Sequence, residues 1–147
     1  MDYLDIELQA SNNQMVTLRD FKRKKLILYF YPKDNTSGCT LEALDFTRHK
    51  KAFENLGYNV IGVSKDSFKS HCNFIEKHSL TILLLSDPEQ KLIEAFDVMK
   101  EKQMYGKHYM GIERSTFVLN EHGSIEKTYR NVKAKDHVET LLQDLKA

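Results

Sequence analysis

The chain has 147 residues, of which 41% are hydrophobic and 10% aromatic, a composition typical of a folded globular protein rather than a disordered one. The 22 basic and 21 acidic residues leave a net charge of +1, which argues against a nucleic-acid-binding protein, because such proteins normally carry a basic excess. A chain of this length predicts a single domain, residues 1–147, that buries a core without structural disulfides or a metal.

The N-terminal sequence is acidic and has no apolar signal segment, and the longest apolar runs are far too short to cross a bilayer. We therefore expect a cytoplasmic protein with no membrane partner. Its two cysteines, Cys39 and Cys72, are not expected to form a permanent structural disulfide, because the cytoplasm keeps thiols reduced. Their chemistry is then of more interest than their packing.

In chain order, residues 6–18 predict a small N-terminal β-hairpin. Short apolar runs predict three buried central strands, at Lys25–Tyr31, Tyr58–Ser64 and Thr81–Ser86. Two further strands are separated by a glycine-containing turn, at Ser115–Asn120 and Ser124–Tyr129. Helical spacing of apolar residues predicts four helices, at 37–56, from Asp66 or Ser67 to about His78, from Pro88 through Phe96, and at 135–146.

Residues 97–114 follow neither the strand nor the helix period, and we expect a polar loop long enough to border an active site. The alternation of strands and helices, followed by an antiparallel pair and a closing helix, predicts an α/β fold with a mixed central sheet flanked by helices. Right-handed crossovers leave few topologies for this order, and a thioredoxin-like fold fits it.

Cys39 lies at the junction between a buried strand and the first turn of a helix. Strand ends are where open α/β sheets place their sites, and the unpaired N–H groups at a helix start stabilise a thiolate. Thr36 and Ser37 supply hydroxyls, either as the helix cap or as donors to an incoming oxygen. From the residues alone, a reactive thiol and a small buried thiol that fills a gap both stay open.

The string from Pro32 to Cys39, PKDNTSGC, matches the Pro-x-x-x-Thr-x-x-Cys motif of peroxiredoxins. The wider string YFYPKDNTSGCTLEA resembles their bacterioferritin comigratory protein branch, also called peroxiredoxin Q. The segments VIGVSKDS, LLLSDPE and MYGKHYMGIERSTFVL extend the likeness along essentially the whole chain.

This resemblance implies a thiol peroxidase in which Cys39 attacks hydrogen peroxide or an organic hydroperoxide and becomes a sulfenic acid. It implies that Thr36 hydrogen-bonds the peroxide and that Pro32 shields the pocket from water. It also implies that Arg114 stabilises the thiolate and the departing oxygen. Without the resemblance, the favoured interpretation of Arg114 is a surface salt bridge to Glu113 or Glu42.

The chain departs from the family pattern at two positions. Ser37 stands where related sequences commonly have proline, and we expect a change in loop stiffness rather than a loss of activity. Leu44 stands where many members have a resolving cysteine, so that route is closed. Cys72 is the remaining thiol, three residues before the place of the resolving cysteine in some relatives, and it is either the resolving cysteine or a small core residue.

We therefore expect a peroxidase without a metal or organic cofactor. Its transient partner would be thioredoxin or a similar dithiol protein, and the resemblance implies a monomer. If Cys72 does not resolve Cys39, an external thiol would do so. Two other classes stay open, a thiol–disulfide oxidoreductase, which the absence of Cys-x-x-Cys disfavours, and a redox-sensing or holdase protein on the same fold.

Overall fold

A computed structural model describes residues 2–21 and 23–147. Within these residues, seven strands form one mixed sheet in the order β2-β1-β5-β4-β3-β8-β9. The strands are β1 Leu8–Ala10, β2 Met15–Val16, β3 Lys25–Phe30, β4 Tyr58–Ser64, β5 Leu83–Ser86, β8 Ser115–Leu119 and β9 Ile125–Tyr129. A separate antiparallel hairpin consists of β6 Met99–Met104 and β7 Lys107–Ile112.

The described residues also form four α-helices: α1 Ser37–Asn55, α2 Phe68–His78, α3 Lys91–Ala95 and α4 His137–Lys146. Local chemistry accounts for where two of them begin. The Ser67 side chain accepts a hydrogen bond from the Ser70 N–H and so caps α2. The Asp87 carboxylate accepts from the N–H groups of Lys91 and Ile93 and so organises the start of α3. In the described part of the chain, no helix has both the length and the apolarity needed to span a membrane.

The connections β3–α1–β4 and β4–α2–β5 join parallel strands and step across the sheet in the same direction. Because such crossovers are right-handed, both helices lie on the same face of the sheet. Helix α4 packs beside α1 on that face. The N-terminal hairpin and α3 contribute to the core on the opposite face.

The central strand β3 is buried on both faces. Ile27 and Tyr29 pack under α1, α2 and α4, whereas Leu28 and Phe30 pack on the other side. This arrangement explains why β3 is a continuous apolar run instead of an alternating one, since a strand covered on both faces has no polar side. The candidate site begins at the carboxyl end of β3.

The predicted mixed sheet with flanking helices is confirmed, as is the N-terminal hairpin. The predicted strand Tyr58–Ser64 has the observed bounds, and the other predicted strand and helix ends either coincide with the observed ones or differ by at most three residues. The sequence did not indicate that β1 pairs antiparallel with β5, because a strand of three residues carries too little pattern to identify its neighbour.

The prediction of a polar loop at residues 97–114 is wrong, because most of this segment forms the hairpin β6–β7. Its side chains are largely exposed on both faces, so the alternation that identifies a half-buried strand is missing. The signal that could have identified it is the pair Tyr105–Gly106. Both residues have positive φ, 52° and 77°, as a two-residue type I′ turn requires.

We predict that Gly62→Ala destabilises the fold by about 1–3 kcal/mol, the usual cost of overpacking. A Cβ atom at Gly62 in β4 would lie 2.7 Å from the Tyr29 ring and 2.8 Å from the Leu84 side chain. Denaturant unfolding measures the change. Gly111→Ala is the control, because its Cβ would first meet the flexible Lys102 side chain at 3.0 Å. Equal losses for the two variants would contradict this account.

Candidate active site

Cys39 is positioned by the end of β3 and the start of α1. Strands β3, β4 and β5 are parallel, so their carboxyl ends lie at one edge of the sheet. Past β3, the Tyr31 N–H still donates to the Val63 carbonyl at 3.1 Å, and the chain then turns into α1. Cys39 is the third residue of this helix, where backbone N–H groups have no partner within the helix. Its side chain is buried, as a free thiol.

Arg114 reaches Cys39 because of the strand register. It directly precedes β8, which pairs antiparallel with β3 so that Ser115 lies opposite Phe30. The start of β8 therefore lies beside the end of β3. The Arg114 guanidinium donates through Nη2 to the Cys39 sulfur at 3.4 Å and through Nη1 to Glu42 Oε1 at 2.7 Å. The surface salt bridge considered from sequence is thus a largely buried ion pair that also contacts the thiol.

Gly38 makes room for this guanidinium. A Cβ atom at position 38 would lie 3.1 Å from Arg114 Nη2, which is tighter than an ordinary contact. A larger residue at this position would press on the group that touches Cys39. The glycine is therefore explained by the close approach of the arginine to the first turn of α1.

Glu42 is fully buried, although it lies near the start of α1. It lies three residues after Cys39 and so shares its face of α1. Burial raises the pKa of Glu42 to about 7, although the charge and hydrogen bond of Arg114 act to lower it. Its second oxygen, Oε2, has no hydrogen-bond partner among the described residues. Glu42 therefore orients Arg114 at the cost of its own desolvation.

The electrostatics of the guanidinium follow from these neighbours. Burial acts to lower the pKa of Arg114, but the negative charges of Glu42 and Cys39 together raise it. Lys102 of the β6–β7 hairpin lies on the same side, where its Nζ donates to the Ile112 carbonyl at 2.6 Å. Burial, followed by the charge of Arg114, lowers the pKa of Lys102. The thiol thus faces a fixed cation that stays charged at any physiological pH.

Pro32 and Thr36 flank the same turn. Pro32 is half-buried and lines a cavity of about 410 Å³ together with Lys102, Glu113 and Arg114. Thr36 is the N-cap residue of α1 by backbone position, but its side chain makes no capping hydrogen bond. Its hydroxyl instead donates to the Lys33 carbonyl at 2.8 Å. The side chain is exposed, so its oxygen is free to accept a hydrogen bond from a molecule that approaches Cys39.

Cys72 lies on α2, apart from the group formed by Cys39, Arg114 and Glu42. Its side chain is half-buried, and its sulfur faces the Ser11 carbonyl at 3.9 Å. The structure therefore brings together Pro32, Thr36, Cys39 and Arg114, whereas Cys72 is held by contacts of its own. Leu44, at the more familiar resolving position, is 40% exposed on α1.

The sequence did not reveal a buried polar network beside the site. Asp34 accepts hydrogen bonds from Tyr31 and Ser70 and pairs with His71. The signal was weak, because His71 lies within a helix face that also carries apolar residues. Asp34, Asp66 and His71 have side-chain ligand atoms within 4.8 Å of one another, yet the hydrogen bonds made by this set already account for its arrangement.

We predict that the raised pKa of Glu42 makes the protein less stable as pH rises from about 4.5 to 7. The folded protein binds the Glu42 proton more tightly than the unfolded chain does, so the contribution is favourable below pH 4.5 and is lost through pH 7. The loss is on the order of 1–3 kcal/mol. Unfolding curves across this range should show a smaller decline for Glu42→Gln. The exposed control Glu126→Gln should follow the parent chain, and parallel curves for all three would rule the effect out.

A family model described as the AhpC/TSA family matches residues 2–128. Peroxiredoxin Bcp of Bacillus subtilis is 53% identical over 142 residues, which cover 97% of this chain and 90% of the relative. Peroxiredoxin Bcp of Xanthomonas campestris is 46% identical over 143 residues, with coverage of 97% and 89%.

Solved structures agree with the sequence relatives. A structure of Xanthomonas campestris peroxiredoxin Q has a TM-score of 0.93 at 45% identity and covers 98% of this chain and 91% of that one. A structure of the bacterioferritin comigratory protein from the same organism, from work on its alkyl peroxide reduction activity, has a TM-score of 0.92 at 44% identity and covers 98% and 92%. The chain therefore belongs to the AhpC/TSA family, as a peroxiredoxin of the Bcp or Q type.

Proposed function

We propose that this chain reduces hydroperoxides at Cys39. The thiolate attacks the terminal oxygen of the peroxide, a sulfur–oxygen bond forms and the oxygen–oxygen bond breaks. Cys39 becomes a sulfenic acid, and the departing oxygen leaves as water or an alcohol after it takes up a proton. Arg114 stabilises the negative charge on the attacking sulfur and on the departing oxygen.

The observation that carries this proposal is the double contact of Arg114. One guanidinium nitrogen donates to the Cys39 sulfur at 3.4 Å while another donates to the buried Glu42 at 2.7 Å. A cation held in this way is already oriented before the peroxide arrives, so little reorganisation is needed during the reaction. In this proposal Pro32 restricts the access of water, and the Thr36 hydroxyl accepts a hydrogen bond from the peroxide.

The proposed substrates include hydrogen peroxide and organic hydroperoxides. The similar Xanthomonas campestris protein has been studied for alkyl peroxide reduction. In this chain the β6–β7 hairpin, whose Lys102 lines the cavity beside Arg114, exposes large apolar side chains. These are Met104, Tyr105, Tyr109 and Met110. Such side chains offer apolar surface to the alkyl part of an organic hydroperoxide.

We further propose that Cys72 resolves the sulfenic acid. Its thiolate attacks the Cys39 sulfur, a disulfide forms, and the sulfenic oxygen leaves as water. A disulfide requires the two Cα atoms to lie within about 7 Å. In this proposal the first turn of α1, the helix α2, or both unwind locally to bring the two sulfurs together. Leu44 carries no thiol, and Cys72 is the second cysteine of the chain.

Thioredoxin or a similar dithiol protein would complete the cycle. One of its thiolates attacks the disulfide, and its second thiol releases the reduced peroxidase and keeps the oxidising equivalents as its own disulfide. The proposal also includes a monomeric state and a cytoplasmic location. A reducing cytoplasm would keep both cysteines as thiols between catalytic cycles.

We predict that Cys39→Ser abolishes peroxide turnover, because the hydroxyl cannot form the sulfenic acid. Arg114→Lys should lower the second-order rate with peroxide by at least about tenfold, because a point charge does not contact sulfur and Glu42 in one fixed geometry. A coupled peroxide-consumption assay measures both. Arg130→Lys, whose guanidinium donates to the Phe96 and Asp97 carbonyls, serves as the control. Unchanged turnover in Cys39→Ser would refute the proposed activity.

We predict that one equivalent of peroxide produces an intramolecular Cys39–Cys72 disulfide that peptide mapping detects. Cys72→Ser should instead accumulate the Cys39 sulfenic acid, and a dimedone-type reagent would trap it. If the parent chain gives a stable sulfenic acid, or a mixed disulfide with an added small thiol, the resolving role of Cys72 is wrong. The protein would then be a one-cysteine peroxidase that depends on an external thiol.

A further inference from the structure

The carboxylate of Asp34 is the centre of a buried hydrogen-bond network. Its Oδ1 accepts from the Tyr31 hydroxyl at 2.6 Å, and its Oδ2 accepts from the Ser70 hydroxyl at 2.8 Å. The same Oδ2 lies 2.7 Å from His71 Nδ1. The side chains of Asp34 and His71 are 1% and 0% exposed. We call Tyr31, Asp34, Ser70 and His71 the Asp34–His71 network.

The second ring nitrogen of His71 is also engaged, at 3.0 Å from the Leu85 carbonyl. A carbonyl only accepts, so Nε2 carries a proton. A further proton must lie between Nδ1 and Asp34 Oδ2, since two bare lone pairs would repel at 2.7 Å. Every polar atom of the His71 ring therefore has a partner, and the ring is fixed between the loop of Asp34 and strand β5.

The backbone makes a second connection between the same segments. The Asp34 N–H donates to Asp66 Oδ2 at 2.9 Å, and that oxygen also accepts from the Ser64 hydroxyl at 2.7 Å. Ser64 ends β4, and Asp66 lies in the connection that leads into α2. The loop of Asp34 is thus held through its side chain by α2 and through its backbone by the connection before α2.

These two segments carry the two cysteines. Asp34 lies between Pro32 and Thr36, five residues before Cys39, and His71 immediately precedes Cys72 on α2. We propose that the Asp34–His71 network holds the Cys39 loop and the Cys72 helix in their peroxide-reactive arrangement and must open before the Cys39–Cys72 disulfide can form. This inference rests on the resolving role proposed above for Cys72. The four residues of the network are positioning residues, because the hydrogen bond that the Cys39 sulfur accepts comes from Arg114 and not from any of them.

The strength of the network then determines how the sulfenic acid is partitioned. While the network is closed, Cys39 is held away from Cys72, and a second peroxide can oxidise the sulfenic acid to the sulfinic acid with release of water or an alcohol. When the network opens, Cys72 attacks and the disulfide forms. A weaker network therefore favours the disulfide, and a stronger one exposes Cys39 longer to irreversible oxidation.

The test uses Tyr31→Phe and Ser70→Ala, each of which removes one hydroxyl donor to Asp34. Tyr31→Phe also removes the 3.4 Å contact between that hydroxyl and His71 Nδ1, within the same network. A hydrogen bond to a charged group contributes on the order of tenfold to an equilibrium. We expect each variant to form the disulfide about five- to tenfold faster after a single turnover and to lose a smaller fraction of Cys39 to the sulfinic acid. The rate of the first step with peroxide should change by less than about twofold.

Tyr129→Phe is the matched control, because it removes a tyrosine–aspartate hydrogen bond, 2.9 Å to Asp144, between β9 and α4. Stopped-flow fluorescence and mass spectrometry give the two rates and the sulfinic fraction, and unfolding curves correct for general loss of stability. A faster disulfide step in Tyr31→Phe and Ser70→Ala but not in Tyr129→Phe supports the proposal. Equal rates in all variants, or the same gain in the control, overturn it.

Separate measurements test the resolving role of Cys72 and the role of the Asp34–His71 network. A parent chain that forms no Cys39–Cys72 disulfide refutes the resolving role of Cys72. Amide hydrogen exchange then tests, independently of disulfide formation, whether the network couples the two segments. Faster exchange in both segments, 33–39 and 67–73, in Tyr31→Phe and Ser70→Ala supports the coupling. Faster exchange in one segment alone, or in neither, contradicts it.

Discussion

The antiparallel register between β3 and β8 is the constraint on which the site depends. It places Ser115 opposite Phe30, so the residue before β8 and the turn after β3 meet at one edge of the sheet. Arg114 and Cys39 are 75 positions apart in the chain, yet their side chains are in contact. A shift of one residue in this register would turn Arg114 to the other face of the sheet and leave the thiol without its cation.

The charges at this edge form a group of one cation and two acidic groups. Arg114 donates one hydrogen bond to the buried Glu42 and one to the Cys39 sulfur. The two acidic groups therefore compete for the same positive charge. Burial of Glu42 opposes its ionisation, and the cation opposes that effect. The position of the guanidinium is therefore determined by a carboxylate that does not itself touch the sulfur. The polar groups most important for reactivity are also costly for folding.

Much of this arrangement could be predicted from the sequence. The apolar run of β3, the helix that follows it and the peroxiredoxin motif identified the neighbourhood of Cys39, and the mixed sheet was predicted correctly. The burial of Glu42 could not be predicted, because it depends on a pairing with Arg114, which lies 72 residues further along the chain. The β6–β7 hairpin was missed because its two faces are both exposed, so no alternation marks its strands.

The Asp34–His71 network could not be predicted for a similar reason: its members come from a loop and a helix that only the folded sheet brings together. Its position beside both cysteine-bearing segments gives the two chemical steps opposite structural requirements. The first step needs Cys39 held against Arg114 in the first turn of α1, whereas the proposed second step needs that turn, α2 or both to unwind. Hydrogen bonds that favour the first arrangement necessarily slow the second. In the proposed cycle, Arg114 with Glu42 would adjust the reactivity of Cys39, and Asp34 with His71 would adjust its escape from overoxidation.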